Sequence, residues 1–449
     1  MKSFEVSFAR LVTFRCQVYA SYASRPDALF EITASIPLVP RLRSVIWVCL
    51  SVLFRRRFSS VYEALDEGAI DTTKLGEALA DHEPEDSEHI GGYAVYPIDT
   101  TIIPRPEADT LPDRGYHHST TQDKWVPGHL FSWLGRLVAP GQSWIAPLAV
   151  ERVETSQTAN EVGAMQVEAL AKRAGPDDQK VVVGDTHYSW APFLRAFVGL
   201  KHVFALVRLD PDRILRQANT QEDNAQLPSL SLKNMPPPER HLATALQTPF
   251  RKQVRNVRIS SWSGLFFSRL PGLIGSVVRL ELLKEDGTPL YKWPMWLFWT
   301  GPADTPLEDL ARIYLARSAI EHFFRFLKQN LGLLAYHGTS LAAERNWVWA
   351  VTIAYWHLLL ARHLVTPQHQ PWDPSHRRDP ARPLTPGQVL NAWPAFCPAL
   401  PALTQAPAPA GKAPGRAKGF HPKPRLRFPA ISKSRTKRLQ RQERAAANA

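Results

Sequence analysis

The chain has 449 residues, of which 44% are hydrophobic and 21% charged. That length suggests two or three folding units, and the composition excludes a wholly disordered protein. Lys plus Arg number 54 against 41 Asp plus Glu, a net charge of +13, which favours a polyanionic partner, nucleic acid before an acidic membrane. Cys16, Cys49 and Cys397 lie far apart and none sits in a CxxC. This argues against a disulfide framework and a zinc ribbon, and it suits a reducing cytoplasm.

Residues 1–88 read as a helical N-terminal region able to contact DNA. Residues 44–54 are apolar but only 11 in number, between Arg41 and Arg43 on one side and Arg55, Arg56 and Arg57 on the other. A spanning helix needs about 20 apolar residues, so this run reads as a buried helix and no membrane partner is expected. Phe58, Val61, Tyr62, Leu65 and Ile70 then recur at helical spacing, with a serine after Phe58 placed to cap.

From Gly91 the pattern changes. Residues 92–99 read as a strand ending at Asp99, and 126–138 and 143–153 as two more. Residues 160–173 read as a helix with Val162, Met165, Leu170 and Ala171 on one buried stripe. Residues 180–185 are an apolar run ending at Asp185, as in a central strand covered on both faces. A helix over 191–200 and a strand over 203–209 follow. Three strands, helix, strand, helix, strand is the order of a ribonuclease-H-like mixed sheet, so 89–209 is read as the first part of such an α/β domain.

Residues 210–306 are too many for a structureless loop. With strand-like runs over 277–283 and 293–299, they read as a β-rich inserted subdomain. Residues 307–365 supply two helices, 307–333 and 341–364. The last 83 residues hold 15 of the 39 prolines, and twelve Lys or Arg face one acid between Lys412 and Arg444. Residues 366–449 therefore read as a disordered, basic, Pro-rich tail.

Asp99 and Asp185 each follow a predicted strand, where a lone Asp is commonly a turn former or cap. The helix over 307–333 adds Tyr314, Arg317, Glu321 and Lys328. At about 100° per residue these four fall within about 60° on one side, beside an apolar stripe of Leu310, Ile313, Ile320, Phe324 and Leu327. A solvated face laced with ion pairs would look the same.

The spacing Tyr314-x2-Arg317-x3-Glu321-x6-Lys328 resembles the YREK signature of cut-and-paste bacterial insertion-sequence transposases with a DDE triad. Asp99, followed by Thr100 and Thr101, resembles that family's first carboxylate, and Asp185 its second. The resemblance covers roughly residues 40–365 and implies a ribonuclease-H-like catalytic domain. It implies Asp99, Asp185 and Glu321 as catalytic and metal-holding residues. It also implies Tyr314, Arg317 and Lys328 as DNA contacts, and two Mg²⁺ ions for which Mn²⁺ can substitute. The expected partners are transposon ends and target duplex, and a homodimer or larger assembly in synapsis; the expected place is the bacterial cytoplasm, at the nucleoid. Mg²⁺ prefers carboxylate oxygens and serves phosphoryl transfer, which is why three acids from separate elements suit this chemistry. Trp262, Trp293, Trp296 and Trp299 of the insertion are candidate base-stacking residues, since relatives use a tryptophan in this way, but each reads first as a core strand residue. No phosphate-binding GxxxxGK[ST] and no GxSxG nucleophile motif occurs. Two other readings stay open: a metal-dependent nuclease of the same fold, and a non-catalytic DNA-binding derivative.

Overall fold

The computed structural model describes residues 4–119, 124–139, 141, 143–175, 177–218, 229–247, 254–366, 383–409 and 415–432. Its centre is a five-stranded unit. Ala94–Pro104 pairs antiparallel with Lys124–Leu137, which pairs antiparallel with Ile145–Val153. On its other side Ala94–Pro104 pairs parallel with Lys180–Gly184, which pairs parallel with Val203–Leu209. Helix Ala159–Ala171, closed by a reciprocal Thr158–Glu161 cap, makes the crossover. Antiparallel strands first, then parallel strands joined through helices, is the ribonuclease-H-like arrangement, and the architecture is α/β with one large mixed sheet.

The two faces of this unit are distinguished by register. Trp133 lies opposite Asp99, so both side chains share a face. There Trp133 meets Phe323 and Phe324 of helix Ala319–Gln329 at 5.5 and 6.0 Å between ring centres. Ile98 and Ser132 point to the other face, against helix Ala159–Ala171, where Ser132 Oγ donates to Gln166 at 2.8 Å. Gly163 allows this approach: a Cβ there would stand 2.8 Å from the Tyr188 ring and 3.1 Å from Ile98. Met165, expected on the buried stripe, is 61% exposed, and Gln166 and Val167 take the inward positions instead.

Asp99 is not at the end of its strand. Its parallel neighbour stops after Gly184, whereas its antiparallel neighbour continues to pair as far as Gly128 opposite Pro104. The strand therefore runs five residues past Asp99 on one-sided support. Residues 191–200 form only the short helix Ala191–Leu194 and a 3₁₀ turn Arg195–Phe197.

Residues 210–306 are β-rich but not a body apart. Met295–Trp299 pairs antiparallel with Val203–Leu209, and Leu270–Leu282 and Val254–Phe267 continue outward from it. Insertion and core thus share one sheet, twelve strands among the described residues.

Helix Leu341–Ala361 is apolar on all sides, and 18 of its 21 residues are buried. A helix of that kind must be central. It is packed by Phe4–Ser21, Pro26–Ser35, Ser59–Glu67 and Pro386–Phe396. Residues 44–54 form no buried helix: Val45–Leu50 is a 3₁₀ segment, and Leu50 and Val52 are 76% and 87% exposed. Nor does a serine cap the helix Ser59–Glu67, whose N-cap is Phe58 without a side-chain bond. Among the described residues no helix is long and apolar enough to cross a membrane.

The C-terminal segment is ordered further than its composition suggests. Helix Pro386–Phe396 carries a Thr385–Gln388 capping box and buries Val389 and Trp393. Thr404 and Gln405 accept hydrogen bonds from Arg55. Residues 428–431 lie along the sheet's edge, where Ile431 bridges Gly115 and Arg114 donates to the Phe428 carbonyl at 2.9 Å. A few apolar residues among the prolines give this stretch a docking surface that its composition conceals. Of the basic run, Lys412 and residues 433–444 lie outside the described residues. If this segment belongs to the core, Trp393→Ala should cost about 3–5 kcal/mol. Urea denaturation of the full chain checks this, and a loss under 1 kcal/mol would return the segment to the status of a tail.

Candidate active site

Three elements bring carboxylates to one edge of the sheet. The register that sets Pro97 beside Val183 carries Asp99 and Asp185, two residues further along each strand, to the same edge. Asp185 caps the turn Thr186–Tyr188 by accepting the His187 N–H at 2.9 Å, and the His187 ring lies 3.1 Å from its other oxygen. Glu321 comes from helix Ala319–Gln329, pinned beside Asp99 by its phenylalanines.

The expected single helix over 307–333 is divided into Leu307–Ala316 and Ala319–Gln329. Between them the bonds tighten to three-residue spacing: Arg317 N–H to Tyr314 at 3.2 Å, Ile320 to Arg317 at 3.0 Å and Glu321 to Ser318 at 3.2 Å. A 3₁₀ turn advances about 120° per residue rather than about 100°, so the shared face inferred from a uniform helix does not survive. Tyr314 is only 6% exposed, and its hydroxyl interacts with Arg208. Lys328 is half-buried; burial lowers the affinity of its amine for a proton, and the Asp99 charge partly restores it.

Arg317 is the joint of the site. Its Nη1 lies 3.1 Å from Asp99 Oδ2 and its Nη2 2.9 Å from Glu321 Oε1. Asp99 is 16% exposed, Asp185 28% and Glu321 56%. Burial pushes the Asp99 carboxyl up to about 6; Arg317 opposes this, while Asp185 and Glu321 reinforce it. For Asp185 burial also acts upward, but the His187 contacts and the Arg317 charge outweigh it and hold the carboxyl below the usual range. Two carboxylates in similar places are thus pushed in opposite directions, Asp99 chiefly by burial and Asp185 by its His187 and Arg317 partners.

The donor set is oxygen-only and anionic, the chemistry that hard divalent cations select. Among the described residues no three His, Cys, Asp or Glu side chains are disposed to hold a metal ion as they stand; the guanidinium lies between Asp99 and Glu321 instead. The donors fit such an ion once Arg317 turns aside. His129 is buried against Glu344 and the Pro112 carbonyl, and Glu344 also pairs with Arg105 at 2.8 Å. That is a structural network. Arg208, against Tyr314, had no sequence signal, since a lone arginine in a strand has none. In the insertion, Trp262, Trp296 and Trp299 are buried, and of these four only Trp293 is open, at 60%; with Trp262 and Trp296 it lines a cavity of about 760 Å³.

Arg317→Gln should destabilise the protein in chelator by about 1–2 kcal/mol, less than for a fully enclosed pair because Glu321 is exposed. Saturating Mg²⁺ should restore the melting temperature, since a divalent cation supplies the missing charge; no rescue would separate the cluster from metal binding. The raised Asp99 has a definite sign. Its protonated form is favoured by folding, so its contribution is full below the unfolded value of 3.8 and is lost as pH rises through about 6. In chelator, Asp99→Asn should flatten the melting temperature between those limits.

A family model described as Transposase DDE domain matches residues 91–356, from just before the Asp99 strand to within the central helix. A search of curated proteins returns no significant match. The matched span covers well over half of the 449 residues and contains the whole carboxylate cluster, so the chain belongs to the transposase DDE domain family, and with it to the DNA transposases, enzymes of polynucleotidyl-transfer chemistry.

Proposed function

We propose that Asp99, Asp185 and Glu321 are the catalytic carboxylates, and that they hold two divalent ions, Mg²⁺ with Mn²⁺ able to substitute. We assign the chain to the YREK type, cutting transposon ends and joining them to target DNA. The observation that carries this reading is the single guanidinium shared by Asp99 and Glu321, with Asp185 at the neighbouring strand end. Acids from two strands and one helix are gathered at a cost in mutual repulsion that a purely structural site has no reason to bear.

Divalent ions in such a site supply Lewis-acid stabilisation of the attacking and leaving oxygens of a phosphodiester. The chain's own residues do the rest. Asp99 is fixed by strand pairing on one side, and its Oδ1 accepts the Thr100 N–H at 2.7 Å. Asp185 is fixed by the His187 N–H and ring. Arg317, once released from the carboxylates, is placed to meet a phosphate, and Lys328, close enough to feel the Asp99 charge, supplies a second positive charge from the Glu321 helix. Tyr314, expected as a direct DNA contact, is enclosed, so its role is to position Arg208 and the helix turn rather than to touch DNA. A homodimer or larger assembly would bring two ends together, and the nucleoid is where such a protein would act. The nuclease and non-catalytic alternatives differ in the outcome of the same assay.

Asp99→Asn, Asp185→Asn and Glu321→Gln should each slow Mg²⁺-dependent cleavage of a duplex carrying the element's own end by at least about a hundredfold, with end binding retained. Near-normal cleavage by any of the three removes that residue from the site. Cleavage without joining to a second duplex supports the nuclease instead.

Lys328→Ala should reduce the salt dependence of DNA binding by about one phosphate contact, a change of roughly 0.9 in the slope of log affinity against log salt. An unchanged slope in an anisotropy titration would leave Lys328 as a partner of Asp99 alone.

A further inference from the structure

Strands Lys180–Gly184 and Val203–Leu209 lie side by side and parallel, so the chain leaves both at the same edge. From the first it carries Asp185, the turn Thr186–Tyr188 and then Trp190. From the second it carries Asp210 to Arg213. These two exits meet. The guanidinium carbon of Arg213 stands 3.6 Å from the centre of the Trp190 ring, well inside cation–π range. Arg213 Nη2 donates to Ser189 Oγ at 3.2 Å, and its Nε is enclosed without a hydrogen-bond partner. Trp190 is nevertheless 52% exposed. One face of the indole is backed by a cation, and much of the remainder is open.

Location separates this pair from an ordinary surface staple. In sheets with parallel strands, ligands sit off the C-terminal strand ends, and this is the edge from which Asp185 emerges. Five residues separate Asp185 from Trp190, at most about 18 Å of extended chain, and less through a 3₁₀ turn. At about 3.4 Å per step of a duplex strand, that is at most roughly five nucleotides. An open aromatic face offers stacking to any base, and a guanidinium offers a charge to the adjoining phosphate. Both are already held in place, so little ordering remains to be done on binding.

We propose that Trp190 and Arg213 form a stacking platform for an unpaired base of the DNA strand that runs through the carboxylate cluster. The platform grips without reading sequence, because every base has a π-face. It rests on the reading above that this cluster acts on DNA.

The test uses the full chain and fluorescence anisotropy with two labelled single strands, a twelve-residue oligothymidylate and a twelve-residue strand with abasic sites at its centre. Their backbone charge is the same, so the ratio of affinities isolates stacking from the general attraction of a basic protein. Wild type should prefer the oligothymidylate by about fivefold or more. Trp190→Ala should bring that ratio close to one while leaving abasic-strand affinity nearly unchanged. Trp190→Phe should keep part of it, which guards against a folding defect in the alanine variant. Arg213→Gln should weaken binding to both strands. A wild-type ratio near one, or a full ratio in Trp190→Ala, would overturn the platform. Metal-dependent end cleavage by wild type separates the two readings: if it persists in any of those cases, the carboxylate assignment stands. If it is absent while Trp190→Ala still abolishes the ratio, the platform stands and the catalytic reading falls.

Discussion

Three carboxylates gathered at one sheet edge repel one another, and the guanidinium of Arg317 is the interaction that lets this chain hold them there. It spans from Asp99 to Glu321 and adds its charge to the field around Asp185. The arrangement is poised because the pair is only partly enclosed: Glu321 keeps more than half of its side-chain surface in water, so exchanging a guanidinium for another cation requires no opening of the core. A fully buried triad of the same composition would be costly to assemble and costly to disturb.

The remainder of the fold can be read as the means of placing Arg317. The Asp99 strand is straddled by a parallel partner that stops and an antiparallel partner that continues, which leaves room beside Asp99 for the Asp185 turn. The cross-strand neighbour of Asp99 is Trp133, and Trp133 seats the two phenylalanines of the Glu321 helix. Behind that helix stands Leu341–Ala361, with Tyr355 against Phe323 at 4.9 Å. The tightened turn between Ala316 and Ala319 then sets the angle at which Arg317 and Glu321 face the strand. Because the insertion extends the same sheet through Val203–Leu209, the strand that carries Arg208 and leads to Arg213 is clamped on both edges. Site geometry and insertion are mechanically continuous.

The sequence and the structure part company where a local rule met a non-local partner. Lys180–Gly184 was legible because a run of valines between polar flanks has few other fates. Met165 fits a helical stripe by spacing, yet the neighbouring stripe of Gln166 and Val167 is the one the sheet covers, with Ser132 repaying the buried amide. Residues 44–54 have the composition of a buried helix, yet in the 3₁₀ segment they form, only Val45 and Val48 find cover. The C-terminal stretch is rich in proline and charge, and its few apolar residues, Val389 and Trp393 above all, decide the matter by finding a groove. Proline prevents regular structure in isolation without preventing docking.

By itself the sequence, through its resemblance to the DDE transposases, implied the class of chemistry, and it placed two acids after strand-like runs, an acid on a helix with arginine and lysine, and a basic excess suited to DNA. These follow from covalent order and periodicity, which need no partner to be expressed. The tertiary structure alone decided that Asp99 sits within a strand, that Tyr314 turns inward, that one arginine joins two of the acids, and that Trp190 meets Arg213. Each of these depends on which surface arrives opposite, and contacts between residues as far apart as 99 and 317 are set by the packing of whole elements, which no local spacing encodes.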